Sequence, residues 1–379
     1  MKKVAVFPGV FLTGGVEAIV LNILASSDSQ DYKFDFFVPR PVDPKLDNRV
    51  FTYGSRIIEI PQIKEVGSIK YIIKLLRIIK NTDRYDIIHV HSIHSGVLSS
   101  IVGFLLKIPL RVYHVHNTDD PVLVNMRFKK TYRSIMKFMI NTFNNRYVAC
   151  GQDAANYIYY KRKIKLGKVI IFKNKIDLLK YSPQNKKSIA EKTALFSESG
   201  LIIGNAARFT VVKNQIFLIT LLKEINKKKN CYLVLAGDGE TLNECKEYSK
   251  EIGVYDKVKF LGNIDDMPGF YNIIDIFVLP SFHEGLPISI LESQACGIPS
   301  LLSNSITKEV DLNLKLVKYL SLTETIDLWV ETILEHVSNR IYDNQLIKEK
   351  FIENDYSLDD IKYQIKDIYS LKNNGRTTW

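Results

Sequence analysis

The sequence contains little cysteine, and none of it is in a paired arrangement. Four cysteines occur among 379 residues, no two of them form a C-x-x-C motif, and each lies in or beside an apolar run: Cys150, Cys231, Cys245 and Cys296. Disulfide-stapled domains and cysteine-based metal sites require paired or closely spaced cysteines. The pattern argues against both and indicates reduced, partly buried thiols in a cytosolic protein.

Long apolar runs are also missing from the sequence. A membrane-spanning helix needs about 18 apolar residues without interruption. The longest candidate, residues 97–110, contains Lys107 and Pro109. We therefore predict no transmembrane helix.

The N-terminus has two lysines, an apolar stretch and a small-residue end, which are also features of a signal peptide. Pro8 and several glycines interrupt the apolar stretch, however. We predict instead a first strand at residues 4–7, a glycine loop, and a helix from about residue 16.

Acidic residues are scarce in the first half of the chain. Residues 1–180 hold 29 Lys and Arg against 14 Asp and Glu, whereas the remaining residues hold 23 against 27, and the whole chain has a net charge of +11. A basic half indicates contact with an anionic partner. A bilayer surface, a lipid diphosphate and nucleic acid all fit this requirement.

Short apolar runs alternate with helical stretches along the whole chain. Runs rich in Val and Ile are typical of parallel strands that are buried on both faces, and their alternation with helices predicts doubly wound sheets. The predicted strands are residues 3–7, 34–38, 56–60, 87–90, 111–114, 146–150 and 169–172, and then 201–206, 232–236, 258–261, 276–279 and 299–302.

The alternation restarts after a polar segment at residues 182–192, whose composition is that of a linker. We therefore predict an α/β protein with two Rossmann-like domains, residues 1–182 and 183–357. A final amphipathic helix covers about residues 358–371. Because ligands of such sheets bind at the carboxyl ends of the strands, the loops after the strands are the candidate sites.

The loop after the predicted strand at residues 276–279 carries two carboxylates. Glu284 lies in the loop, Glu292 lies eight residues later in the next helix, and Pro287 suits a first helical position. Backbone N–H groups at residues 285–288 form a ready anion site. This combination suits a ligand with hydroxyls and a phosphate, with Glu284 binding sugar hydroxyls and Glu292 a ribose diol.

The same segment resembles the donor-site signature of retaining GT-B glycosyltransferases of the family-4 type. The match is E-x7-E followed by A-x-G-x-P, within the order P-S-x-x-E-G-L-P-x-x-x-x-E. The resemblance extends over about residues 3–370. It implies a GT-B fold with two Rossmann-like domains and a deep interdomain cleft, in which residues 358–379 complete the acceptor domain. The resemblance implies that Glu284 is catalytic as well as donor-binding. The other residues implied to line the donor site, beside Glu292, are Gly285, Leu286, Pro287 and Ile288.

Two cations follow the predicted strand at residues 201–206. Arg208 and Lys213 can converge on one diphosphate and neutralise the charge that grows as the sugar leaves, although such a pair is also often merely solvated. The family has G-R-x-x-x-x-K-N here, and this chain keeps the spacing with Ala207 in place of glycine. The resemblance implies that both cations bind the donor and act in catalysis.

Glycines mark two further strand ends of the second half. The motif G-D-G at Gly237 is weak by itself, because Leu242 occupies the third glycine position of G-x-G-x-x-G. The resemblance implies that Gly237 shapes the loop beside the nucleotide and that Leu261 and Gly262 frame the base. An ordinary strand end explains each residue equally well.

The first domain is expected to bind the acceptor. Gly14, Gly15 and Glu17 follow the first strand, and the helix N-terminus there could bind an anion. The family also has a glycine-rich loop at this place. The resemblance therefore implies an acceptor site that contains these residues and His91.

Histidines are concentrated in two short segments, His89, His91 and His94 in the first and His114 and His116 in the second. Alternate residues of a strand share a face, so a metal site is one interpretation. Each H-x-H pair crosses a strand end and no carboxylate or cysteine set accompanies it, so we predict no metal. The resemblance places His116 near the transferred sugar as a catalytic residue.

No D-x-D motif occurs in the sequence. This motif is the usual carboxylate arrangement for a divalent ion on a nucleotide diphosphate in GT-A enzymes, whereas here Arg208, Lys213 and the helix after Glu284 can neutralise the diphosphate. We therefore predict metal-independent transfer without a cofactor. The resemblance implies front-face attack on the sugar, with the protein supplying positioning and electrostatic stabilisation.

The basic first domain fits a lipid-linked acceptor. Lys and Arg line the predicted helix at residues 68–81 and lie among Met, Phe and Ile near residues 127–137. Such a mixture suits an anionic membrane surface, although two basic helices of a soluble enzyme would look the same. We predict a cytoplasmic protein, peripheral at the inner face of the plasma membrane, in capsular or exopolysaccharide synthesis.

The predicted partners are a UDP- or GDP-sugar donor and a glycan or polyprenyl-diphosphate-linked acceptor. Nucleic acid is disfavoured because the 20 tyrosines and 19 phenylalanines are scattered along the chain. Two alternatives stay open: an epimerase or phosphorylase on the same fold, and a non-catalytic sugar- or nucleic-acid-binding protein. A degenerate enzyme would be expected to have lost Glu284, Arg208 or Lys213, and all three are present.

Overall fold

The structure is a computed structural model that describes residues 1–9, 15–28, 30–39, 50–116, 129–183, 196 and 198–370, without the side chains of residues 15–18, 94 and 129. The chain forms two compact units. Unit 1 comprises Met1–Lys175 and Asp359–Trp379, and unit 2 comprises Ile176–Leu358. The sequence analysis placed the boundary after residue 182.

Unit 1 contains a seven-stranded sheet in the order β3-β2-β1-β4-β5-β6-β7, and every pair of neighbours is parallel. The central strands β4 and β6 are buried along their whole length, as expected where helices cover both faces of a sheet. Their bounds are β1 Lys2–Phe7, β2 Tyr32–Pro39, β3 Arg56–Ile60, β4 Ile87–Val90, β5 Leu110–Val115, β6 Arg146–Ala149 and β7 Val169–Ile171.

The described helices of unit 1 mostly connect these strands. The last one comes from the C-terminal end of the chain and packs against the first. Their bounds are α1 Gly15–Ser26, α2 Ile63–Val66, α3 Ser68–Thr82, α4 His94–Leu105, α5 Lys129–Phe143, α6 Gln152–Ile158, α7 Lys161–Lys165 and, near the C-terminus, α14 Ile361–Ile368.

Unit 2 contains a six-stranded sheet in the order β10-β9-β8-β11-β12-β13, again parallel throughout. Leu233 and Val234 are both fully buried although they face opposite sides of the sheet, as expected of a sheet covered on both faces. The strands are β8 Leu201–Ala206, β9 Cys231–Ala236, β10 Val258–Gly262, β11 Ile276–Leu279, β12 Ser300–Ser303 and β13 Val317–Leu320.

The described helices of unit 2 are α8 Gln215–Ile225, α9 Leu242–Glu251, α10 Met267–Ile273, α11 Ile288–Ala295, α12 Ile326–His336 and α13 Asn344–Glu353. β13, α12 and α13 were not predicted from the sequence. The predicted final helix, residues 358–371, extends beyond α14 (Ile361–Ile368) at both ends. Among the described residues, no helix is both long enough and apolar enough to span a bilayer.

The strand order of each sheet reverses at one point. In unit 1 the chain moves outward in opposite directions from β1 and β4, and in unit 2 it does so from β8 and β11. The loops that follow these two strands diverge, which opens a crevice at their carboxyl ends where ligands of doubly wound sheets bind. In unit 2 the crevice lies between the residues after Ala206 and those after Leu279.

Candidate active site

The loops after β8 and β11 bring a cation and a carboxylate into contact. Lys213 ends a short 3-10 turn, Val211–Lys213, and its Nζ lies 2.5 Å from Oε1 of Glu284. The same oxygen accepts a hydrogen bond of 2.7 Å from Oγ of Ser281. Only 9% of the Glu284 side chain and 24% of the Lys213 side chain are exposed, so the pair is shielded but reachable.

The backbone fixes this pair in two further ways. The amide of Phe282 donates to the carbonyl of Val212 at 2.8 Å, which joins the two loops directly. Asn214 takes a left-handed conformation (φ 56°) between the 3-10 turn and α8, and its Nδ2 donates to the carbonyl of Pro280 at 3.2 Å. Asn tolerates this conformation better than most residues do, which gives a physical reason for the Lys-Asn dipeptide.

Arg208 lies earlier in the same loop with an exposed side chain. The next residue, Phe209, is buried, and Gln215 Nε2 donates to the carbonyl of Arg208 at 3.2 Å. The backbone of the loop is therefore anchored while the guanidinium remains in solvent. This arrangement leaves the guanidinium available to an anionic ligand.

Helix α11 presents its N-terminus beside Glu284. The helix begins at Ile288, so Pro287 is its N-cap. The sequence had suggested Pro287 as the first helical residue. No side chain of the described residues caps this end, so the first amides of the helix and the adjoining Gly285 and Leu286 can bind an anion.

Glu292 lies in the second turn of α11 and is partly buried. Tyr271 Oη donates to its Oε2 at 2.9 Å, and Tyr181 is a second hydrogen-bond donor. Burial raises the pKa of the Glu292 carboxyl, and the two tyrosines and Lys180 oppose that rise. The carboxylate is held in one position by the hydroxyls of two tyrosines. Its contact with a ribose diol stays a prediction.

Glycines allow three strand-end loops of unit 2 to lie side by side. The amide of Gly237 (φ 130°) donates to the carbonyl of Gly262 at 2.8 Å, and the amide of Ala207 donates to that of Ala236 at 3.0 Å. A Cβ on Gly237 would overlap the carbonyl oxygen of Ala207. Gly237 therefore permits a close approach of two loops, and Leu261 and Gly262 end the neighbouring strand.

The structure thus gathers the predicted donor residues along one edge of the unit 2 sheet. Three serines that support the candidate site were not predicted from the sequence. Ser281 donates to Glu284. The hydroxyls of Ser303 and Ser305 donate to the carbonyl of Ser281, at 2.5 and 2.8 Å. Ser281 stands within the quoted motif, which was the available signal. Ser303 and Ser305 carry no motif.

The acceptor residues predicted in unit 1 are only partly described. Gly14 lies outside the described residues. Gly15 is the first residue of α1, and Glu17 belongs to that helix, but its side chain is outside the description. Gly9 (φ 86°) approaches Ser92 after β4, where an added Cβ would lie 2.8 Å from the Ser92 Cβ, so β1 and β4 end in close contact.

The histidines of β4 and β5 form one buried block. His91 Nδ1 lies 2.9 Å from His116 Nε2, and His89 Nδ1 lies 2.8 Å from Oη of Tyr369. Burial lowers the pKa of His89 and of His116 to about 3, so both rings are neutral at physiological pH. The predicted acceptor residue His91 and the predicted catalytic residue His116 are therefore hydrogen-bonded to each other.

Comparison with known families covers both units. A family model described as Glycosyltransferase Family 4 matches residues 13–179, and one described as Glycosyl transferases group 1 matches residues 186–352. Together they account for most of the chain.

Individual relatives match over most of their length. EpsF of Bacillus subtilis, which is named as a glycosyltransferase, is 29% identical over 360 residues, or 94% of each chain. The Escherichia coli UDP-Gal:alpha-D-GlcNAc-diphosphoundecaprenol alpha-1,3-galactosyltransferase is 26% identical over 302 residues, or 77% of each chain.

Solved structures show the same fold. The structure of Anabaena Alr3699/HepE in complex with UDP and glucose has a TM-score of 0.77 over 97% of this chain and 99% of that chain, at 17% identity. The predicted α/β architecture with two Rossmann-like domains is thereby confirmed. The chain belongs to the group 1 glycosyltransferases of the GT-B fold, enzymes that transfer sugars in the synthesis of polysaccharides and glycolipids.

Proposed function

We propose that this enzyme transfers a hexosyl or N-acetylhexosaminyl unit, with retention of configuration, from a UDP-sugar to a polyprenyl-diphosphate-linked glycan in exopolysaccharide synthesis. The observation that carries the proposal is the Lys213–Glu284 pair beside the uncapped N-terminus of α11. The donor is taken as a UDP-sugar in preference to a GDP-sugar because the Anabaena structure contains UDP and the Escherichia coli relative is named for UDP-Gal.

The proposed mechanism uses the charges along this edge of unit 2. The diphosphate binds at the amides that open α11, with Lys213 and Arg208 against its oxygens, and Glu284 orients the sugar through its hydroxyls. As the bond from the sugar to the diphosphate breaks, negative charge grows on the leaving group, and fixed cations and amides stabilise it. No metal ion is needed for this neutralisation, so transfer is proposed to be metal-independent.

The role of unit 1 in this proposal is to bind the acceptor. His116 is neutral, half-buried and hydrogen-bonded to His91, so it can contact the transferred sugar without adding charge. The diphosphate-linked acceptor is supported by the name of the Escherichia coli relative. It also agrees with the positive charge of the first 180 residues.

Unit 1 also has a surface suited to an anionic membrane. Helix α4 packs between α3 and α5, and the outer sides of the three helices mix exposed apolar and basic side chains. We call this surface the basic-apolar face. It contains Ile69, Ile73, Phe104, Leu105, Ile135 and Phe138 together with Lys70, Lys74, Arg77, Lys80, Lys130 and Arg133. We propose peripheral attachment at the cytoplasmic side of the plasma membrane through this face.

The donor site is tested by UDP binding in the presence of EDTA. Replacing Lys213 with alanine removes a charge-assisted contact to the diphosphate, which is worth roughly 1.5–3 kcal/mol, or about 10- to 150-fold in affinity. Lys223→Ala is the matched control, because Lys223 is an exposed lysine on α8. Isothermal titration calorimetry should show weaker UDP binding by Lys213→Ala alone. Equal affinity of both variants would remove the proposed diphosphate site.

The acceptor and the reaction are tested with a polyprenyl-diphosphate glycan and a panel of UDP-sugars, again in EDTA. Elongation of the glycan, detected by mass spectrometry, is the expected result. Release of UDP without elongation, or activity that requires inorganic phosphate, would instead support the epimerase or phosphorylase alternatives.

Membrane attachment is tested by sedimentation with vesicles of phosphatidylcholine and phosphatidylglycerol. The double variant Ile73→Ser with Phe138→Ser should leave more protein in the supernatant. Leu179→Ser is the control, because Leu179 is an exposed apolar residue of unit 2, with 96% of its surface accessible. If wild type does not sediment, the basic-apolar face is only a solvated surface.

A further inference from the structure

Four histidine rings lie together on one face of the unit 1 sheet. Strands β4 and β5 are parallel neighbours, with Val90 opposite Tyr113, so the two H-x-H pairs come side by side. Ring centroids are 4.1 Å apart for His89 and His91, 4.1 Å for His114 and His116, and 5.1 Å for His91 and His114.

No metal was predicted from the sequence, because each H-x-H pair crosses a strand end and no carboxylate or cysteine set accompanies it. The strands do end there, at Val90 and Val115. The backbone nevertheless continues the ladder beyond β4, because the amide of His91 donates to the carbonyl of Phe7 at 2.9 Å. The alternation of side chains therefore extends one residue beyond the strand, and His91 shares the face of His89.

Most of the ring nitrogens in this block have no hydrogen-bond partner. Within the described part of the chain, the nitrogens without a partner are Nε2 of His89, Nε2 of His91, both nitrogens of His114 and Nδ1 of His116. Buried polar atoms are normally paired, so a concentration of unpaired ring nitrogens requires an explanation.

We infer that His89, His91 and His114 form a binding site for a divalent transition metal, with Zn²⁺ the best match. One ring nitrogen from each of the three residues lies within 4.8 Å of the others. Three imidazoles correspond to a zinc site with an open fourth position. A set of nitrogen ligands without carboxylates favours Zn²⁺, Co²⁺ or Ni²⁺ over Mg²⁺ and Ca²⁺, which prefer oxygen.

The other nitrogens of two ligands already have the partners that metal-binding histidines require. His89 contacts Tyr369 Oη through Nδ1, and His91 contacts His116 through Nδ1. Such contacts fix the ring and its tautomer, and here they leave Nε2 of His89 and of His91 for the metal. Tyr369 directly follows α14, so the metal would connect β4 and β5 with the C-terminal segment of unit 1.

Metal binding at this site is separable from the proposed donor binding. The donor residues Lys213 and Glu284 belong to unit 2, whereas the histidines belong to unit 1. Removal of the metal is therefore expected to lower the melting temperature of the protein and to leave UDP binding unchanged. Failure of the donor proposal and failure of the metal proposal are thereby distinguishable.

The test uses the full-length protein without an affinity tag, expressed in medium supplemented with Zn²⁺ or with Co²⁺. After dialysis, elemental analysis should find about one metal ion per chain in wild type. The Co²⁺ form should show ligand-field absorption from nitrogen ligands. His114→Gln should lose both signals. The control His283→Gln, which changes an exposed histidine outside the block, should keep both.

Tyr369→Phe provides a second arm, because it removes only the hydroxyl that contacts His89. The metal affinity should fall by about 10- to 100-fold, as for other partners of metal ligands. If His114→Gln does not fold, the wild-type stoichiometry and the Co²⁺ spectrum decide alone. Wild type without bound metal, or equal metal content in His114→Gln and His283→Gln, would overturn the site.

Discussion

At the scale of single residues, Glu284 has two partners on one oxygen. Lys213 and Ser281 both contact Oε1, at 2.5 and 2.7 Å, so within the described part of the chain Oε2 is the oxygen that remains for a ligand. A diphosphate that binds Lys213 must draw the ammonium partly away from Glu284. In this proposal, the pair couples the occupation of the diphosphate site to the position of the carboxylate that orients the sugar.

Replacing Glu284 with glutamine separates these two roles. The amide keeps the shape but removes the charge that attracts Lys213, so the lysine is freer to bind a diphosphate. We expect UDP to bind Glu284→Gln at least as tightly as wild type, whereas sugar transfer falls by about 100-fold or more. Calorimetry and a glycan-elongation assay measure the two effects. A loss of UDP affinity as large as that of Lys213→Ala would contradict this division of roles.

Residues of the candidate site could be named from the sequence only where a motif contains them. Glu284 and Lys213 belong to motifs that resemble those of the family, and the structure brings their side chains into contact. Tyr271, which binds Glu292, precedes it by 21 residues and belongs to a different helix. Its contact depends on how α10 packs against α11, which no local pattern encodes.

At the scale of elements, the loops after β8, β9 and β10 depend on Gly237. Its φ of 130° is unfavourable for any other residue, and a side chain there would overlap the carbonyl oxygen of Ala207. Gly253 offers a comparison, because its φ is also positive (77°) but nothing lies within 4 Å of an added Cβ. The two glycines therefore differ mainly in whether there is room for a side chain at that position.

We therefore expect Gly237→Ala to destabilise unit 2 by more than about 2 kcal/mol and to weaken UDP binding. Gly253→Ala should lower the free energy of unfolding by only about 1 kcal/mol, because it strains the backbone without a steric overlap. It should leave UDP binding unchanged. Urea unfolding followed by the fluorescence of Trp329, which is buried in unit 2, measures this in a Trp379→Phe background. Equal costs for both glycines would show that the loop simply shifts to admit a side chain.

The elements that the sequence analysis missed have identifiable reasons. Strand β13 is four residues long, lies at the edge of the sheet and is only partly buried, so it lacks the continuous apolar run of a central strand. Helices α12 and α13 did carry a signal, since Thr325 and Asp343 cap them by accepting from the amides of Leu328 and Leu346. Capping residues were thus a better guide than apolar periodicity.

At the scale of the whole molecule, the chain enters and leaves unit 2 and ends in unit 1. Tyr369 is buried against the rings of Tyr32 and His89, with centroids 5.1 and 5.7 Å away, and Lys2 Nζ donates to its carbonyl at 3.1 Å. Arg146 also donates to the carbonyl of Ser370. The sequence predicted an amphipathic helix in this region. It did not indicate that Tyr369 is the buried side chain that anchors the segment, because the burial of Tyr369 is known only from the structure.

Removing the Tyr369 ring should lower the stability of unit 1 and leave unit 2 intact. Tyr369→Ala deletes a fully buried aromatic ring, and such a deletion usually lowers the free energy of unfolding by about 3–5 kcal/mol. Tyr363→Ala, on the helix that directly precedes Tyr369 but with 75% of its surface exposed, should lower the free energy of unfolding by less than about 0.5 kcal/mol. Hydrogen exchange should therefore accelerate in the strands of unit 1 in Tyr369→Ala alone, while UDP affinity stays at the wild-type value in both variants. A parallel loss of protection in β8–β11 would mean that the two units unfold as one cooperative body, and the C-terminal segment would then contribute to the stability of the donor site as well.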